Sequence, residues 1–169
     1  MSELALNLDH PPVWLAGSAR GVPAQADLRW SRGSDSPNAR VLMPLLEAFS
    51  DIGGVVTGDA MAALLRDRTD QPISMLARWI VQREVISFPW QSNTMLPLFQ
   101  FDLVLLHLRP GVPKVLAELR EAFDDLELAD WFARPNSWLQ GRAPAQRFEQ
   151  DLSAVIQAAR ADRFVALGD

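Results

Sequence analysis

The sequence predicts a mainly α protein with one small β-hairpin, in which a helix-turn-helix-like segment precedes the hairpin and a C-terminal helical domain follows it. Three observations carry this. Apolar residues recur at i, i+3, i+4 and i+7 from Leu42, from Val112 and from Leu152, the spacing of one buried helix face. Two runs rich in β-branched and aromatic side chains, Val85–Trp90 and Thr94–Phe101, flank the polar Gln91-Ser92-Asn93. Proline and glycine mark the joints between periodic segments. A chain of 169 residues, 49% hydrophobic and 22% charged, builds one globular domain or two small ones packed together.

Residues 1–36 hold Pro11, Pro12, Gly17, Gly21, Pro23 and Gly33 without a sustained period, which reads as an irregular N-terminal arm; Trp14 and Trp30 would bury much apolar surface if they dock on the body. Ser36-Pro37 has the form of an N-cap with proline at the first helical position, and the helix carrying Leu42, Leu45, Leu46 and Phe49 stops at Gly53-Gly54. Thr57 caps a second helix with Met61, Leu64 and Leu65. After the Thr69-Asp70-Gln71-Pro72 turn a third carries Met75, Leu76, Trp79 and Ile80, so the pair has helix-turn-helix proportions. Pro89 and Pro97 confine the strand segments to edges or bulges. Leu103–Leu108 reads equally as helix or strand. Val112, Val115, Leu116, Leu119 and Phe123 form the next helix, and one from about Asp125 contributes Leu128, Trp131 and Phe132 before ending near Pro135. Ala143-Pro144 opens a further turn of helix, and Leu152, Val155, Ile156 and Ala159 mark the last. The expected divisions are an arm over 1–36, the helix-turn-helix-like segment with its hairpin over 37–109, and a helical domain over 110–169.

Composition closes off several chemistries. Sixteen Lys plus Arg against twenty-one Asp plus Glu give a formal charge of -5, so the chain has no overall basic surface for phosphate backbones. Cys is absent and His occurs only at His10 and His107, neither with a partner at a catalytic or metal-ligating spacing. Gly53-Gly54-Val55-Val56-Thr57-Gly58 lacks the terminal Gly-Lys-Ser/Thr of a phosphate loop and reads as a helix stop plus turn. The acidic group Asp124, Asp125, Glu127 and Asp130 falls where carboxylates complement a helix N-terminus, ahead of any reading as a metal site. No catalytic residue, metal or cofactor is expected. The apolar stretch Met95–Leu108, broken by Pro97, Gln100, Asp102 and His107, falls short of the roughly 20 residues of a membrane helix. With Glu3 and Asp9 where a leader would be basic, a cytoplasmic protein is expected.

Two binding surfaces remain. Arg78 and Arg83 are placed to meet phosphates or base edges if residues 57–83 read DNA. Between Thr57 and Arg109, however, Arg66, Arg68, Arg78, Arg83 and Arg109 are cancelled by Asp59, Asp67, Asp70, Glu84 and Asp102, leaving little counterion release to drive binding. On the last helix, Arg160, Arg163 and Phe164 lie beyond the anchoring stripe, and arginine and aromatic residues are enriched at binding hot spots. Phe164 completing the core, with the arginines solvated, is the other reading.

Three ordered fragments carry a resemblance. Leu96-Pro97-Leu98-Phe99-Gln100-Phe101-Asp102, then Pro110-Gly111-Val112 opening a helix, then Trp131-Phe132-Ala133-Arg134-Pro135-Asn136-Ser137-Trp138-Leu139-Gln140-Gly141-Arg142-Ala143-Pro144, resemble antitoxins of the Xre/MbcA/ParS type over about residues 75–160. In the second half of that pattern Pro135 turns the chain, Trp138 and Leu139 can return to the core, and Gly141 allows a conformation or an approach that a side chain would block. Arg142 offers a planar group for carbonyls, a carboxylate or a partner, and Pro144 starts a helix. The resemblance implies a non-catalytic protein whose C-terminal domain binds a cognate toxin, often of the NAD-degrading RES type, through residues such as Trp138, Gly141 and Arg142. It also implies homodimerisation and a helix-turn-helix able to bind operator DNA. The charge balance of residues 57–109 and the first 36 residues depart from the family pattern.

Overall fold

A computed structural model describes residues 37–168; the expectations for Trp14, Trp30, His10 and the arm lie outside the described residues. The chain runs α1 (Pro37–Ser50), β1 (Val55–Thr57), α2 (Gly58–Leu65), α3 (Pro72–Val81), β2 (Phe88–Trp90) and β3 (Asn93–Pro97), a 3-10 turn at Leu98–Gln100, then β4 (Phe101–Asp102) and β5 (His107–Leu108). It continues as α4 (Gly111–Leu119), α5 (Asp125–Ala133), a 3-10 turn at Ser137–Leu139, α6 (Pro144–Arg147) and α7 (Leu152–Leu167). The fold is mainly α with a small antiparallel sheet, as expected.

That sheet has the order β1-β3-β2, with Val55 opposite Pro97, Thr57 opposite Met95, and Trp90 opposite Asn93. Helix, strand, helix, helix and hairpin, with the first strand against the third, is the connectivity of a winged helix-turn-helix. Strand β1 is not among the elements expected from sequence. Gly53 and Gly54, at φ 97° and 83°, do end α1, but Val55-Val56-Thr57 then pairs with β3, a three-residue strand too short to show a period. Pro89 lies on edge strand β2, whereas Pro97 is the last residue of the central strand, where its missing N–H interrupts no further ladder. Thr57 caps α2, its Oγ1 accepting the Ala60 N–H at 3.2 Å. Residues 103–108 form the tip and return of a second hairpin. Asp102 Oδ1 accepts the Val104 and Leu105 N–H groups at 2.9 and 2.8 Å, and Leu106 turns the chain at φ 49°.

Two cores fill the body. Met61, Leu65, Leu76, Val85, Leu96 and Phe101 pack beneath the helix pair. The larger core joins Leu42, Leu45 and Phe49 of α1 to Val112, Leu116, Phe132, Phe148 and Val155. It therefore crosses the division drawn at 109/110, and the described residues 37–168 belong to one compact unit. The reason is that the apolar face of α1 buries itself on the C-terminal helices.

Two polar joints tie separate elements, one within residues 37–109 and one across to α4 and α5. Gln100, fully buried, accepts the Ile86 N–H through Oε1 and donates Nε2 to the Ile86 carbonyl, both at 2.8 Å. Arg83 stands just past α3 at φ 52° and reaches across to the end of α4, donating to the Arg120 and Phe123 carbonyls at 2.7 and 2.9 Å and to Asp125 at 2.9 Å. At the start of α4, Gly111 allows close packing: a Cβ there would lie 2.8 Å from Leu152 and 3.0 Å from Phe148.

Candidate functional site

The best-built surface feature is the turn from Arg134 to Arg142. Pro135 ends α5, and the buried Asn136 organises the loop after it. Its side-chain oxygen accepts the Trp138 N–H at 2.9 Å, its carbonyl accepts the Gly141 N–H at 2.9 Å, and its own N–H donates to the Arg142 carbonyl at 3.1 Å. Gln140 and Gly141 close the loop in consecutive left-handed conformations, φ 59° and 76°. Gly141 is thus needed for its backbone angle, since a Cβ there would meet nothing within 4 Å. Leu139 is buried, and Pro144 opens α6 at its first turn.

One side chain of α7 locks this turn in place. Asp162 accepts three hydrogen bonds: Trp131 Nε1 and Asn136 Nδ2 donate to Oδ2 at 2.7 and 2.6 Å, and Trp138 Nε1 donates to Oδ1 at 2.9 Å. All three donors are neutral. Each is a charge-assisted bond, stronger than a neutral pair. The result corrects one expectation, because Trp138 does not return to the core with Leu139. It is held at the surface 59% exposed, its N–H engaged inward and its ring turned to solvent. Sequence reasoning missed Asp162, since Ala161-Asp162-Arg163 on a terminal helix looks like a solvated face and its donors lie 24 to 31 residues away.

The remaining expected residues divide. Arg142 is exposed, and its contribution to the turn is its backbone. Arg160 and Arg163 both bind Glu118 of α4, at 2.9 and 3.0 Å, so they clamp α7 to α4. Phe164 is 62% exposed and does not complete the core; Val165 and Leu167 are exposed on the same final turn. On α3, Arg78 is exposed beside Ile73, Ala77 and Val81, an apolar outward face, while the Arg83 guanidinium is engaged by α4 and α5. The structure therefore brings Trp138 together with Asp162, leaves Arg160 and Arg163 on the α4 side of the helix, and separates Arg78 from Arg83.

The acidic group behaves as a cap. Asp124 Oδ1 accepts the Leu126 and Glu127 N–H groups at 2.9 and 2.8 Å, and Glu127 accepts the Asp124 N–H at 2.8 Å, a complete capping box. Among the described residues no three carboxylates or imidazoles gather as metal ligands would. No described helix is long and apolar enough to cross a membrane. No family model, no curated protein and no solved structure matches the chain.

Proposed function

We propose that this chain is a non-catalytic protein-binding module that acts by occupying its partner, in the manner of the toxin-neutralising antitoxins its C-terminal half resembles. The supporting observation is the Asp162-held turn. A tryptophan fixed by an inward hydrogen bond, with more than half its surface open, is a preorganised aromatic anchor that loses little freedom on binding. Phe164, Val165 and Leu167 extend apolar surface along the helix that carries Asp162. The partner of this reading is a cognate toxin, of the NAD-degrading type the resemblance implies, bound in the cytoplasm by a homodimer of this chain.

The test is co-expression with the product of the adjoining reading frame, with size-exclusion chromatography and titration of the complex. Trp138→Ala is expected to weaken binding by tenfold or more, about 1.4 kcal/mol or above, as for an aromatic hot spot. A complex of unchanged affinity in that variant, or no complex at all, sinks the reading.

The winged helix-turn-helix connectivity favours a second reading, operator binding through α3. Its outward face carries Arg78 with Ile73, Ala77 and Val81, and phosphate contacts would have to come from few cations. Binding to duplex DNA that weakens steeply with salt, and that Arg78→Ala abolishes, would establish it.

A further inference from the structure

Between α5 and the Arg134–Asn136 segment opens a pocket of about 450 Å³. Phe123, Leu126, Trp131 and Pro135 supply apolar walls, and Glu127 and Asp130 supply carboxylates. The hydrogen bonding of this lining is one-sided. The Trp131 indole and the Asn136 amide donate to Asp162, which is not part of the lining. Glu127 uses Oε2 for the capping box, and Asp130 uses Oδ1 for Arg134; among the described residues neither second oxygen has a partner. The pocket thus offers carbon surface and carboxylate oxygen. Its charge is negative as well. Within the lining, Glu127 and Asp130 are opposed by Arg134 alone, whose side chain is 66% exposed, and Asp162, bonded to lining residues Trp131 and Asn136, accepts only from neutral donors.

We propose that this pocket receives a long cationic side chain, arginine or lysine, from the bound protein. The source of that side chain rests on the protein-binding reading above; the pocket chemistry does not. The alkyl stem lies along Leu126, Trp131 and Pro135, and the cation meets Glu127 and Asp130 in place of Arg134. Arg134 is then an internal competitor that fills the site while it is empty of partner. An aliphatic anchor would make no use of the two carboxylates, and an anionic one would be repelled.

The experiment uses the full chain, labelled with nitrogen-15, and follows the Trp131 indole N–H resonance during titration with N-acetyl-Ala-Arg-Ala-amide and with its uncharged counterpart containing norleucine. The arginine peptide is expected to give a saturable shift and to bind about fivefold more tightly than the norleucine peptide, the scale of one partly exposed ion pair. Glu127→Gln keeps the helix cap while removing the charge, and weakens the arginine peptide by about the same factor. Arg134→Gln removes the competitor and strengthens it. The proposal is overturned if the two peptides bind alike, if Glu127→Gln changes nothing, if Arg134→Gln weakens binding, or if the Trp131 resonance does not respond. Peptide binding without any toxin complex would sink the antitoxin reading and leave the cation pocket standing. A complex sensitive to Trp138→Ala with no peptide response would do the reverse.

Discussion

Gln100→Leu removes the one side chain that satisfies the Ile86 peptide. Ile86 is 1% exposed, and both its N–H and its carbonyl are bonded to Gln100 at 2.8 Å. A buried backbone group left without a partner costs about 1–3 kcal/mol, so the pair should lower stability by roughly 2–6 kcal/mol. For a chain of this length that corresponds to a fall of roughly 5–15 °C in melting temperature, measurable by calorimetry or circular dichroism. Gln100→Glu separates the two bonds. The carboxylate still accepts from Ile86 N–H but faces the Ile86 carbonyl without a proton, so burial and that oxygen both raise its folded-state pKa above the unfolded value of about 4.3. A raised pKa makes the stabilising form the protonated one. The variant's stability is therefore fully present below about pH 4.3 and lost as pH rises through the folded value. Its deficit relative to the parent should shrink between pH 7 and pH 4. A Gln100→Leu variant within 1 kcal/mol of the parent, or a Gln100→Glu deficit equal at both pH values, would refute the reasoning.

Gly111→Ala places a methyl group 2.8 and 2.9 Å from the Leu152 methyls and should destabilise by about 1–3 kcal/mol despite the better helix propensity of alanine, read as a lower urea midpoint. Arg83→Ala loses three hydrogen bonds between α3 and the α4–α5 segment and keeps the unfavourable φ of 52°, whereas Arg83→Gly relieves that angle; the glycine variant should be the more stable of the two by about 1 kcal/mol, in the same denaturation assay. The Leu105 N–H holds the Asp102 carboxylate below its ordinary pKa of 3.8 against an opposing desolvation, and the Val104 N–H, His107 and Arg109 add to the lowering. Because the folded-state value is depressed, the order of the Val104 tip is present above pH 3.8 and lost as pH falls through the lower folded value. Amide exchange at Val104 and Leu105 should accelerate in that window, and no change would count against the turn.

Residue pattern is enough to locate most helices, because each carries a repeating apolar face. Thr57, Asp124 and Pro144 are readable as helix starts, since a cap is local chemistry within four residues. The failures share a different cause. β1 exists only through its pairing with Met95–Pro97, some 40 residues away, and three residues hold no period of their own. The merging of 37–109 with the C-terminal helices depends on where the apolar face of α1 goes, which periodicity does not say. Gln100 and Arg83 look like ordinary polar residues until their partners on other elements are known. At the candidate site the turn is visible in Pro135, Asn136 and Gly141, all of which act on adjacent backbone. Its anchor is not visible, because Asp162 gathers donors from three separate positions by tertiary folding alone.

That distinction also decides which variants report on recognition. The two acidic residues at the contacts of α7 differ in what they hold. Glu118 of α4 binds Arg160 and Arg163 and thereby fixes the helix itself, while Asp162 fixes the turn that displays Trp138. Reversing Arg160 and Arg163 to carboxylates would set two negative charges beside Glu118, whose side chain is only 19% exposed, and the helix would be pushed from α4 before any partner was met. Loss of binding in that variant would arise from displaced scaffold as readily as from a lost contact. Trp138→Ala removes the displayed ring while Asp162 keeps its bonds to Trp131 and Asn136, so the turn survives without the ring it displays. Only the second substitution separates a surface that recognises from a helix that supports it.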